Sequence, residues 1–174
     1  MARNTLDDLD MQGFTCLHHA VHDRDIDELT YLLGKGANPN IPSRQPHILM
    51  TPVMDVPFPP GSTPVQLAAL LGHGEMILPL LLAGADPNLK DRDGFAAVDR
   101  AISGYLYYAH QAEKKEKSLW RRFNGAAAFR KDSEAFASII EALLSHGARP
   151  ALLILPPEFQ RPGGDGVKHA HPRP

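Results

Sequence analysis

Thiols are almost absent from this chain. Cys16 stands alone, so no intramolecular disulfide can form and no Cys-based zinc site can be assembled. Excess charge is missing too: a formal net charge of −2 over 174 residues gives no general attraction to nucleic acid or to an acidic substrate. No apolar run approaches the length of a membrane span, and the N-terminus lacks the basic-then-apolar pattern of a signal peptide. A cytoplasmic protein without a membrane association is the expectation. The length suits one domain with enough chain for a core.

Catalytic motifs are missing as well. Ser62 lies in Gly-Ser-Thr and not in a nucleophile elbow, and Gly34-Lys35 lacks the spacing of a phosphate loop. His73-Gly74-Glu75 has the His-x-Glu look of a deaminase zinc site, but no Pro-Cys-x-x-Cys exists to complete the ligands. His18 and His22 are one helical turn apart, a spacing that permits metal binding. Cys16 adjoins a helix start, yet no His or Asp dyad surrounds it in a recognisable pattern. No catalytic constellation survives, and neither a cofactor nor a metal is expected.

What is present is a stretch from Gly61 to Asn88, GSTPVQLAALLGHGEMILPLLLAGADPN. Thr63 can cap a helix by accepting a bond from an orphan backbone N–H, and Pro64 suits the first helical position. Val65 to Leu71 form a short apolar helix, Gly72-His73-Gly74 breaks it, and Met76 to Leu82 form a second one that Gly84 stops. Two short helices that are apolar on most sides need neighbours of the same kind. Pro79, inside the second helix, is expected to distort its backbone bonding.

The pattern recurs. Gly13-Phe14-Thr15 parallels Gly61-Ser62-Thr63, Ala20-Val21 takes the place of Ala68-Ala69, and Gly36-Ala37-Asn38-Pro39-Asn40 closes the earlier unit as Gly84 to Asn88 closes the later. Gly94 follows Gly61 at a spacing typical of helical repeat units and opens a third one. The end of that unit, Phe136 to Leu144 with Gly147-Ala148, comes late. The interval from Gly94 to Gly147 is more than twice that from Gly61 to Gly84, so a long insert sits between its two helices.

A Thr-Pro-Leu-His type of start, Ala-Ala, Gly-His, a leucine run and Gly-Ala-Asp-x-Asn, in this order and at this period, resemble the ankyrin repeat. The resemblance implies an all-α fold: an ankyrin-repeat solenoid of stacked helix-turn-helix pairs with β-turn fingers. It also implies that His18 is the motif histidine that bonds between turns, a structural part and not a ligand. The expected organisation is a polar lead-in over 1–12, a repeat domain over 13–155 with units at about 13–45, 61–93 and 94–150, and a Pro-, Gly- and His-rich disordered tail over 156–174. His169 and His171 in that tail read as solvated residues.

Two departures interrupt the pattern. An arm over 41–60 is much longer than the usual link and carries Met50, Met54 and Phe58 among prolines unsuited to a helix or central strand. It either folds back over the first two units or projects as a grip for a partner. An insert over 103–134 brings Tyr105, Trp120 and a run of basic residues including Lys114, Lys115 and Lys117. It reads as a helical hairpin, from Ile102 to Phe123 and from Ala126 to Leu144, turned at Asn124-Gly125. Its aromatics either pack the hairpin or present a basic surface to an acidic protein.

Helix pairs stacked in a row present an extended surface of fingers and first helices. Carried over from the resemblance, partner contacts are expected at Met11, Gln12, Phe14, His22 and Asp23 in the first unit. The second offers Pro59, Pro60, Ser62, Leu70 and Leu71, and the third Arg92, Asp93, Phe95 and Ser103. The arm adds Met50, Met54 and Phe58, and the insert adds Tyr105 and Trp120. The implied function is a non-catalytic protein–protein interaction module, a small standalone binder that inhibits or sequesters a partner protein, immunity- or antitoxin-like. An adaptor or scaffold is the alternative; a metal protein or enzyme using His18, His22 and Glu75 is the rival from another class. Nucleic acid is not an expected partner, and the free protein is expected to be monomeric.

Overall fold

The apolar pattern predicts helix pairs that cannot stand alone, and a computed structural model shows how they are satisfied. It describes residues 5–50, 55–117 and 125–151. A first pair, α1 (Cys16–His22) and α2 (Ile26–Gly34), stacks on α3 (Pro64–Leu71) and α4 (Gly74–Leu82), which stack on α5 (Ala97–Lys117) and α6 (Gly125–Ser145). The first helices α1, α3 and α5 pack side by side in one layer, and α2, α4 and α6 form the layer behind. Such short helices are marginal in water, so α1 to α4 depend on this stacking. Leu17, Val21, Leu29, Val65, Leu67, Ile77, Leu80, Ile102, Ile139, Ile140 and Leu143 are buried in one continuous core. Each such side chain contributes roughly 1.5–3 kcal/mol relative to exposure.

Local signals set the helix ends. Asp25 caps α2, its carboxylate accepting the Glu28 N–H at 2.9 Å. Gly72 ends α3 in the left-handed region at φ 75°, a conformation that costs glycine nothing. In the first pair the corresponding residue is Arg24 at φ 58°, an uncommon position for a side chain that carries a Cβ. The guanidinium of Arg24 reaches Glu75 at the start of α4, 2.5 Å away. Both groups are largely exposed, so the pair is worth little.

Buried polar groups tie each unit to the next. His18 Nε2 lies 3.0 Å from the Ser62 carbonyl, which can only accept, so Nε2 carries the proton. Its Nδ1 is then the acceptor, for the Thr15 hydroxyl at 2.9 Å and the Thr15 N–H at 3.3 Å. Gln66 holds the same place in α3: it accepts the Thr63 N–H at 2.6 Å and donates to the carbonyls of Leu89 and Phe95. In α5 the place falls to Asp99, which accepts the N–H of Ala96 and, from the far end of the stack, that of Ala151. The partner polarity reverses because a carboxylate only accepts.

A second ladder runs along the closing turns. Asn40 donates to the Gly84 carbonyl at 2.8 Å and accepts the Asp86 N–H at 2.7 Å. Asn88 repeats both bonds with Gly147 and Arg149. Asp7, one repeat period before Asn40, accepts the Asn38 N–H at 2.8 Å. The short 3-10 turn Thr5–Asp7 therefore ends the ladder, and Leu6 packs on the core beside it. The stretch read from sequence as a polar lead-in is thus joined to the first pair.

The long third unit is two helices of 21 residues, α5 and α6, packed on each other more extensively than any other pair. The expected second helix, Ala126 to Leu144, is closely matched, while α5 is described as far as Lys117 and the continuation to Phe123 lies outside the described residues. Pro79 does not break α4, which runs on to Leu82. Burial of Met76, Ile77, Leu80 and Leu81 holds the helix through the missing N–H.

Candidate partner-binding surface

Between successive pairs the chain forms fingers. In the first, Asp10 accepts the N–H groups of Gln12 and Phe14 at 2.9 Å each, and Gly13 donates back to the Asp10 carbonyl. In the third, Asp91 does the same for Asp93 and Phe95, and Gly94 donates to its carbonyl. Ser43 holds that place in the second finger: its N–H meets the Ser62 carbonyl, and its own carbonyl accepts from Gly61. The tips of the first and third fingers are the pairs Met11-Gln12 and Arg92-Asp93. In the second, the stretch 44–60 occupies that interval, so the arm is a lengthened finger and not a separate linker.

The lengthened finger is an antiparallel hairpin of β1 (His47–Met50) and β2 (Asp55–Phe58), with His47 opposite Phe58 and Ile48 opposite Pro57. Alternation gives it two faces. On the inner face, the His47 ring lies 4.1 Å from that of Phe14, and Phe58 meets both Phe14 and His18 edge to face. His47 Nε2–H donates to the Gln12 carbonyl at 2.7 Å, which ties the hairpin to the first finger. On the outer face Ile48 is 71% exposed and Pro57 is exposed, and the first finger presents Met11 at 96%. The arm thus packs on the core through His47 and Phe58, as the first of its two expected roles requires, and leaves Ile48 and Pro57 exposed.

Charge on the finger row is unevenly partnered. Arg100 of α5 holds the buried Asp91 through Nε at 2.9 Å and Nη2 at 2.6 Å, bonds Asp93 at 3.1 Å, and stacks its guanidinium 4.9 Å from the Phe95 ring. His19 takes the equivalent position in the first unit, 2.7 Å from Asp10. The backbone N–H groups of Phe14 and Gln12 and the His19 ring hold the Asp10 carboxyl below its usual range, the Phe14 bond counting most. The carboxylates of the first and third fingers, Asp10, Asp91 and Asp93, are thereby engaged. Arg44, Lys90 and Arg92 are exposed and form no ion pair with a described side chain.

The residues expected to touch a partner divide accordingly. Met11, Gln12, His22, Asp23, Arg92 and Asp93 are exposed, and Phe95 and Tyr105 are partly so, Phe95 under Arg100 and Tyr105 against the core. Leu70 is half-buried on the core. Phe14, Phe58 and Ser62 are not available: Phe14 and Phe58 are core side chains, and the Ser62 hydroxyl donates inward to the Pro59 carbonyl at 2.7 Å. Their expected contact role is corrected to packing, because the hairpin folds down over the first finger. Pro59 is buried with them, while Pro60 and Leu71 are half-buried and Ser103 is exposed. Met54 and Trp120 lie outside the described residues, as does the side chain of Met50.

Ile48 belongs to the apolar set of the arm, whereas Arg44 and Lys90, both exposed, were not among the residues expected to touch a partner. The signal for Arg44 was present, since it precedes Arg92 by the same offset that separates Gly13 from Gly61.

His18, His22 and His73 are engaged by the protein itself. Burial pushes the His18 imidazole down to about 4, and burial likewise lowers His73, whose Nδ1–H donates to the Val21 carbonyl at 3.0 Å. His22 faces Asp23 at 2.9 Å. Among the described residues no group of three metal-ligating side chains comes together, and no helix is long and apolar enough to cross a membrane.

The ankyrin repeat family model matches residues 12–44 and 60–92, which covers the first two helix pairs and leaves the hairpin between them outside the match. No curated protein matches the chain.

Proposed function

The chain is an ankyrin-repeat protein, of a family that forms protein–protein interaction modules, and we propose that it is a dedicated non-catalytic binder that holds one partner protein across its finger row and inhibits or sequesters it by occupation. The α5–α6 pair acts in this reading as a third, lengthened repeat: Gly94 and Gly147 repeat the positive φ of Gly61 and Gly84, and Asp99 repeats the linking place of His18 and Gln66.

One observation carries the proposal. The second finger is drawn out into a hairpin whose inner face is fixed on the core, while its outer face leaves Ile48 exposed; Met11 is exposed on the first finger, to which His47 ties the hairpin. An exposed Ile and Met on two fingers tied to each other lose little backbone freedom on binding, so apolar contact there yields net affinity. A blocking role needs only such a surface, and a standard interface of about 800 Å² per partner would span several fingers.

The test uses the protein as bait with its Met11→Asp and Ile48→Asp double variant. Both positions are exposed, so the thermal transition should stay in place. A stoichiometric partner retained by the parent and lost by the variant is the expected result, with the partner's own activity suppressed in the complex. Retention by the variant, or no captured protein, overturns the proposal.

A further inference from the structure

We infer that the finger row is built for an acidic segment of the partner, an extended stretch that brings two carboxylates to Arg44 and Arg92 and apolar side chains to Met11 and Ile48. This rests on the reading of the finger row as the binding surface and deepens it by naming the partner's chemistry.

The two arginines occupy repeat-equivalent seats. The Arg44 N–H donates to the Gly13 carbonyl at 3.0 Å, and the Arg92 N–H to the Pro60 carbonyl at 3.1 Å, so each begins a finger by bonding to the one before it. Each stem lies across a positive-φ glycine of that preceding finger. A Cβ on Gly13 would stand 3.1 Å from Arg44 Cβ, and one on Gly61 3.4 Å from Arg92 Cγ. At Gly94 none of the described residues comes within 4 Å. Stacked helix pairs repeat at about 10 Å, and an extended chain rises about 3.3 Å per residue. Carboxylates a few positions apart on such a chain would meet both guanidinium forks.

Electrostatics select the sign. Among the described side chains, the acids of the first and third fingers are taken: Asp91 and Asp93 by Arg100, Asp10 by His19 and backbone N–H groups. Arg44, Lys90 and Arg92 form no ion pair with a described side chain. A cationic row on a chain of net charge −2 is therefore local and not a consequence of overall composition. Arginine suits the task because its planar fork can take a carboxylate through two bonds.

The experiment measures fluorescence anisotropy of the full chain with three labelled peptides of one length, Glu/Leu, Lys/Leu and Ser/Leu, each repeating two and two so that an extended chain shows both residue types on one face, and with a single-stranded DNA oligonucleotide. The parent is compared with Arg44→Glu/Arg92→Glu and with Lys131→Glu/Arg149→Glu, an equal charge change on and after α6, all checked for an unchanged thermal transition. The Glu/Leu peptide should bind at least tenfold tighter than the other two. The finger variant should lose at least tenfold in affinity, and the α6 variant less than threefold. Equal losses in both variants, or tighter binding of the DNA with the same dependence on the finger arginines, overturn the inference. Equal binding of the Ser/Leu peptide removes the acidic preference while the finger row stands as a binding surface; a captured partner indifferent to Met11 and Ile48 removes that surface instead.

Discussion

Phe136 of α6 lies over Gly104 of α5 so closely that a Cβ on the glycine would stand 2.3 Å from Cε1 and 2.6 Å from Cζ of the ring. The same ring covers Gly72, where a Cβ would be 3.1 Å away, and stacks against Tyr108 with centroids 5.5 Å apart. One buried aromatic thus seats the third pair on the second. Two small residues make the notch that admits it.

Gly104→Ala should therefore destabilise the protein by about 1–3 kcal/mol through overpacking. The direction is diagnostic, because an unhindered Gly→Ala change within a helix gains about 1 kcal/mol. Urea unfolding measures it, and a stabilised variant would mean that Phe136 does not sit on Gly104.

His18 predicts an acid-sensitive fold. Burial keeps its imidazole neutral down to about pH 4, whereas in the unfolded chain it takes up a proton near pH 6.5. Between these values the unfolded state binds more protons, so stability is full above the window and is lost as pH falls through it, by on the order of 3 kcal/mol. His73, also lowered by burial, contributes with the same sign. Gln66 fills the equivalent place without titrating, so His18→Gln should keep the link to Ser62 and flatten the profile to the share of His73. Urea midpoints at pH 4.5, 5.5 and 7 test this; a variant as pH-dependent as the parent would sink it.

Pro79 costs α4 the N–H that would bond to the Glu75 carbonyl one turn back. Half-buried and within an intact helix, it should be improved by Pro79→Ala, with a gain of about 1–3 kcal/mol against the roughly 3 kcal/mol penalty of an interior proline. A calorimetric transition that moves down instead of up would show that the ring's packing outweighs the missing bond.

The repeat was legible because its signals are local. Gly13, Gly61 and Gly94 open units, and Gly36, Gly84 and Gly147 close them, all at positive φ. Thr15 and Thr63 mark helix starts, and the apolar stripes between need only short-range periodicity to be seen. The structural role of His18 was implied by the family resemblance, and the helical hairpin was read from the insert that interrupts the pattern.

The finger side chains were harder to sort. Phe14 and Phe95 hold equivalent positions, yet Phe14 is buried under His47 and Phe58 while Phe95 remains partly open beneath Arg100. No local signal separates them, since the difference comes from a hairpin distant in sequence that folds over one finger only. Asp7 is a similar case: its bond to Asn38 is decided by the ladder it terminates.

Sequence alone thus determined the period, the helix pairs and the glycine turns, because backbone conformation and apolar periodicity are properties of neighbouring residues. Only the tertiary structure decided which finger residues face outward and which cations lack an acid. Burial and pairing depend on what folds against a side chain, and the residues that cover Phe14 or leave Arg44 and Arg92 open come from distant parts of the chain.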